Sequence, residues 1–154
     1  MARKSTFVKA SGDIQKLPSF RKWIKKLGKK SFVVNCVGGG SQINNAFKKK
    51  GRKKKPHGPL GRELKTWKDR QLARDILENN RIRLEDNLAK EGIMANVMIP
   101  VFDLGSVLCH ANADLVLMLA YNGFDTLFAV TTKSRLEKKK KLFAPYPKIK
   151  VIAF

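Results

Sequence analysis

The spacing of apolar positions changes repeatedly along the chain, and each change marks an element. "STFVKASG" reads as a short β-type run that ends at Gly12. In "LPSFRKWIKKLG", Phe20, Trp23, Ile24 and Leu27 recur at i, i+3, i+4 and i+7, which predicts a helix with Pro18 in its first turn and Gly28 as its C-cap. "SFVVNCV" is apolar almost throughout, as expected of a parallel strand covered on both faces. After "GGGSQINNAFKKKG", read as a turn and a short helix closed by Gly51, residues 51–61 become Arg, Lys, Pro, His and Gly, the composition of an open loop.

A long helix is predicted from about Glu63 to Glu91. Ala73, Leu77, Leu84 and Leu88 lie on its buried face, Asn80 falls on the same face, and Gly92 ends it. "ANVMIPV" is predicted as a third strand, "ADLVLMLAYNG" as a helix capped by Gly123, and "TLFAVTT" as a fourth strand. "KSRLEKKKKLF" then reads as a helix and "KIKVIAF" as the last strand. Strands alternating with helices predict an α/β three-layer sandwich around a mostly parallel sheet. In such sheets ligands gather at the carboxyl ends of the strands.

Composition sharpens this picture. The chain has 154 residues, 43% of them hydrophobic, which suits one domain with a real core. The start, "MARKSTFVKASGD", is basic but has no long apolar stretch, and Asp114 and Asp125 interrupt the most apolar run. The expectation is a cytoplasmic protein without membrane contact. Cys36 and Cys109 form no CxxC pair and are read as core thiols; His57 and His110 are too few to argue for zinc, so no metal site is expected.

The net charge of +21 is the strongest compositional feature and favours phosphate-bearing partners. It concentrates in "KKKGRKKKPHG" (48–58) and "KSRLEKKKK" (133–141). Lys48, Lys49, Lys50, Arg52, Lys53, Lys54 and Lys55 are the candidate polyanion contacts, in a flexible loop at about 48–61. Runs of like charge also serve simply as solvated surface.

Three groups of residues carry candidate chemistry, all at strand-to-helix turns. "VGGGSQIN" lets the backbone approach a ligand closely and leads into a helix N-terminus with free N–H groups. "FVKASGD" places Lys9 at the end of the first strand, ahead of Ser11 and Gly12. "HANAD" sets His110, Asn112 and Asp114 before a helix that reads as core, where a carboxylate also serves as an ordinary N-terminal acid.

In order and spacing, "FVKASG … FVVNCVGGGSQIN … HANADLVLMLAYNGFDTLFAVTT" resembles the amino acid kinase family, which includes acetylglutamate, aspartate and uridylate kinases. "DRQLARDILENNRIRLEDNLAKEGI" is similar to the central helix of uridylate kinases, while "GGGSQIN" and "NAD" are nearer the acetylglutamate kinase wording. The resemblance implies a carbamate-kinase-like sandwich and phosphoryl transfer from ATP with Mg2+ to a nucleoside monophosphate or an acidic metabolite. In that scheme Lys9 would neutralise the transferring group and Asp114 would orient the lysine. Ser11, Gly12, Gly38, Gly39, Gly40, Asn80 and Asn112 would bind phosphate or substrate. The family's frequent oligomers make a homo-oligomer an expectation too.

The sequence also departs from the family. Ser11 stands where glycine is usual, and His110 where asparagine is common. "TTKSRLEKKKKLF" replaces the usual "TDVDGVY" stretch, and most of the nucleotide-binding half, with its second catalytic lysine, has no counterpart. Lys133 or Arg135 is the expected substitute for that charge. Two other readings stand beside the kinase: a non-catalytic basic module of the same fold that contacts RNA or another polyanion, and a ligand sensor without turnover.

Overall fold

The computed structural model describes residues 3–53 and 57–154. Its centre is a five-stranded sheet: β1 (Lys4–Ala10), β2 (Ser31–Val37), β3 (Asn96–Met98), β6 (Thr126–Thr131) and β7 (Ile149–Ala153), in the spatial order β3-β2-β1-β6-β7. Every neighbouring pair is parallel. The fold is therefore α/β with an all-parallel central sheet, as the alternating pattern predicts. From β1 the chain winds outward through β2 to β3, then returns past β1 to β6 and β7. The order reverses between β1 and β6, the position at whose carboxyl ends ligands gather in sheets of this kind.

Alternation along the strands sends side chains into two layers. Val8, Ala10, Val33, Val37, Val97 and Val130 pack with Phe20 and Ile24 of α1 (Pro18–Gly28) and with Leu84 and Leu88 of α3 (Trp67–Lys90). Phe7, Cys36, Leu127, Ala129 and Ile149 face the other way, against Val116 and Leu117 of α4 (Ala113–Leu119) and Phe143 of α5 (Leu136–Phe143). A third cluster joins Ile43 and Phe47 of α2 (Gly40–Lys49) to Ala73 and Leu77 of α3, with Leu64 beside them.

Several boundaries differ from the expected ones. The long helix begins at Trp67 rather than Glu63, because the Thr66 hydroxyl accepts a bond from the Asp69 N–H at 3.1 Å and caps it. The helices expected at 113–123 and 133–143 are shorter: a 3-10 turn follows α4 (Ala120–Asn122) and another precedes α5 (Lys133–Arg135). The third strand is only Asn96–Met98, and Val101 belongs instead to a separate antiparallel hairpin of β4 (Val101–Leu104) and β5 (Val107–His110). Gly105 and Ser106 turn that hairpin with φ of 62° and 67°. Cys109 lies on β5, so only Cys36 is a fully buried thiol; Cys109 is half-buried. Among the described residues, no helix is long and apolar enough to cross a membrane.

Candidate functional site

Lys9 occupies the last turn of the pleat in β1, on the face shared with Phe7, and so points toward α4 rather than out into solvent. It is 8% exposed, and its Nζ lies 3.1 Å from Oδ1 of Asp114. Asp114 is held in place from behind. Asn112 is the N-cap of α4, and its Oδ1 accepts a bond from the Asp114 N–H at 3.0 Å. The other carboxylate oxygen, Oδ2, accepts a bond from Nζ of Lys139 on α5. One buried carboxylate thus bridges two ammonium groups, brought from β1 and α5, at the carboxyl end of β1 where the strand order reverses.

The electrostatics follow from burial and charge. Burial pushes the Lys9 ammonium below its ordinary 10.5, opposed by Asp114 and reinforced by Lys139. Burial would raise the Asp114 carboxyl, but Lys9 and Lys139 outweigh it and hold it below the usual carboxylate range. Cys36, in register with Lys9 on β2, is pushed by burial up to about 12 and stays a neutral thiol. The three charges sum to an excess positive charge, which suits an anion.

The glycine turn lies beside the carboxyl end of β1. Gly38 N–H donates to the Ala10 carbonyl at 3.0 Å, locking the turn after β2 to the end of β1. Asn80, reaching from α3, donates from Nδ2 to the Gly38 carbonyl at 3.3 Å. A Cβ on Gly39 would stand 2.8 Å from Cδ2 of Leu77 and 3.1 Å from Nδ2 of Asn80, so a side chain here would make those two α3 side chains shift. Gly40 opens α2, whose first turn presents unbonded N–H groups. Asp13 lies there as well, accepting bonds from Ser41 Oγ at 3.0 Å and Gln42 Nε2 at 3.4 Å. The Ser11 hydroxyl oxygen is buried and meets no hydrogen-bond partner. Gly12 packs against the Gly38 carbonyl and Gln42.

Arg62 is a member of this neighbourhood that the sequence reading missed, having left it at the edge of an open loop. It is 8% exposed, and its guanidinium donates to Asn44 Oδ1 at 2.7 Å and to the Gly40 carbonyl at 3.5 Å. The segment that carries it is docked on the entry to α4: Asn112 N–H donates to the Leu60 carbonyl at 2.7 Å. Next to it lies a cavity of about 490 Å³, whose lining includes Leu60, Arg62, Leu64, Arg70, Leu108 and His110. His110 Nε2 is 2.9 Å from the Arg70 carbonyl, and burial with Arg62 and Arg70 pushes its imidazolium pKa down.

The expected sites therefore fare differently. Lys9, Ser11, Gly12, Gly38, Gly39, Gly40, Asn80, Asn112 and Asp114 all fall around the carboxyl ends of β1 and β2. The second ammonium on Asp114 is that of Lys139, while Lys133 and Arg135 are exposed in the preceding 3-10 turn. Lys48, Lys49, Lys50 and Lys53 are exposed, away from the ion-paired group. Arg52 is not free surface charge, because its guanidinium pairs with the buried carboxylate of Asp69. Lys54 and Lys55 lie outside the described residues. Among the described residues, no group of three or more His, Cys, Asp or Glu side chains could hold a metal ion. The residues present fit an anion; a Mg2+ ion here would be carried by phosphate oxygens. No family model and no curated protein sequence matches the chain.

Proposed function

We propose that this protein is a small phosphotransferase of amino acid kinase type. It would move the terminal phosphoryl group of Mg-ATP to a nucleoside monophosphate or an acidic metabolite. The observation that carries the reading is the pair of ammonium groups, Lys9 buried and Lys139 partly buried, held on Asp114 at the carboxyl end of β1, where the strand order reverses. Phosphoryl transfer needs little covalent work from the protein; it needs charge placed around the moving group and reactants held in line.

Lys9 and Lys139 supply that charge, and Asp114 fixes both ammoniums before substrate arrives. The first turn of α2 and the Ser11 hydroxyl donate to phosphate oxygens. Arg62, at the mouth of the neighbouring cavity, meets the acidic group of the acceptor. Mg2+, when bound with the nucleotide, neutralises phosphate charge.

The test is transfer of a labelled γ-phosphoryl group from Mg-ATP to a panel of nucleoside monophosphates and acidic metabolites. Lys9→Ala and Lys139→Ala should each lower kcat/KM by about 10²- to 10³-fold. Arg62→Ala should act mainly on the KM of the acceptor. A wild-type protein that labels no acceptor overturns the reading.

A further inference from the structure

A second surface, on the opposite side of the sheet, has a composition of its own. Between Asp13 and Glu63 the chain contains no acidic residue, yet it carries every cation of α1. Lys22, Lys26 and Lys29 recur at i, i+4 and i+7, so they form one exposed stripe on and just beyond that helix. Trp23 sits beside this stripe but turns toward the sheet. Its ring meets Phe128 of β6 edge-on, with centroids 5.0 Å apart, and Phe154 at 6.0 Å.

Phe128, Ile152, Trp23 and Phe154 are only partly buried against the α1-side core. The helices that pack on β6 and β7, α4 and α5, lie on the other face. Across from Phe128 in register stands Lys150, exposed, with its Nζ 6.0 Å from the Phe128 ring centre. β7 is also an edge strand of the sheet. The result is a half-open aromatic floor with lysines on both banks, from α1 on one side and β7 on the other.

We infer that this face docks single-stranded nucleic acid, independently of the phosphotransferase site. Cations alone attract any polyanion, and a duplex would satisfy them equally. Aromatic rings between the cations favour a strand whose bases are unpaired, because each base has a face to stack while its phosphates meet the lysines. A second copy of this chain is a poor occupant, since it would bring the same lysines against themselves. No base-edge reader is present in this group, so binding is independent of sequence. This places nucleic-acid contact on α1 and β7 rather than on residues 48–55.

The chain has two tryptophans, and Trp67 is 65% exposed, so Trp67→Phe leaves Trp23 as the sole reporter. Titration of that protein with a short oligouridylate should give saturable quenching. Lys22→Ala, Lys26→Ala and Lys150→Ala combined should reduce the slope of log affinity against log salt by about 2. Neutralising Lys48, Lys49, Lys50 and Lys53 should leave the quenching of Trp23 in place. Trp23→Leu, followed by anisotropy of labelled RNA, should weaken binding roughly tenfold. If that variant does not fold, the lysine variants still decide the matter. Absence of quenching, an unchanged salt slope, or equal competition by duplex RNA or polyglutamate would overturn the inference. So would Trp23 emission that follows protein concentration and not RNA, which would put a second copy on this face.

Discussion

Two opposing effects meet at Asp114, and the pairing wins. Asp114 pairs with Lys9 and Lys139, and it is buried together with Lys9. Because its folded pKa lies below its ordinary 3.8, the folded state holds the proton less tightly than the unfolded chain. The stability this contributes is present above that ordinary value and is lost as pH falls through the folded one. Lys9 works at the other end: its pKa is lowered in the fold, so the unfolded chain binds more protons between the folded value and 10.5, and stability rises with pH across that window. Asp114→Ala should therefore flatten the acid limb of the stability profile. It should also cost roughly 3–5 kcal/mol at neutral pH, since the buried Lys9 and the partly buried Lys139 lose their counter-charge. Urea unfolding from acid to neutral pH measures both. Asn35 makes an opposite prediction. It is fully buried between Val8 and Val97 in register, and neither of its side-chain polar atoms meets a partner. Asn35→Leu should raise the urea midpoint by the equivalent of about 1–2 kcal/mol at unchanged slope; a lower midpoint would show that the amide is satisfied in solution.

The strands and helices were largely legible because their apolar spacing is strong: the α1 stripe, the near-continuous β2 and the buried face of α3 all sit where the pattern puts them. The hairpin β4–β5 was missed, although a signal exists. Gly105-Ser106 between Val101–Leu104 and Val107–His110 is a two-residue turn with both φ values positive, as tight hairpins require. The docking of residues 57–62 against the entry to α4 was not legible for a different reason. The loop's Gly, Pro and Lys content suggested solvent, but Gly61 lies directly on the chain entering α4. Its φ is 147°, and a Cβ there would stand 2.1 Å from the His110 carbonyl oxygen. Gly61→Ala should undock residues 57–62, lower stability by roughly 1–3 kcal/mol and open that segment to proteolysis. Gly40→Ala, whose Cβ would meet nothing within 4 Å, should leave packing unchanged. Equal effects of the two substitutions would refute the docking.

The assembled fold explains which site residues the sequence could reveal. Lys9, the glycine turn and Asp114 stand at strand ends or helix starts, so their positions follow from the element order. Lys139 could not be singled out. It is one of four consecutive lysines, and only the rotation of α5 against α4 aims that one at Asp114. Arg62 was hidden likewise, because its burial depends on contacts with Asn44 and Gly40 that are distant in sequence. Strand order, too, is a property of the whole chain, and the reversal between β1 and β6 is what gathers these groups at one end of the sheet. The most direct test is calorimetric titration with Mg-ATP near 1 M salt, where a Debye length of about 3 Å suppresses loose attraction to the +21 surface. Saturable one-site binding should occur in the wild type. It should survive neutralisation of Lys48, Lys49, Lys50 and Lys53, and disappear in Lys9→Ala and Lys139→Ala. No binding, or weak binding equal in every variant, would mean that the two lysines on Asp114 do not form a nucleotide site.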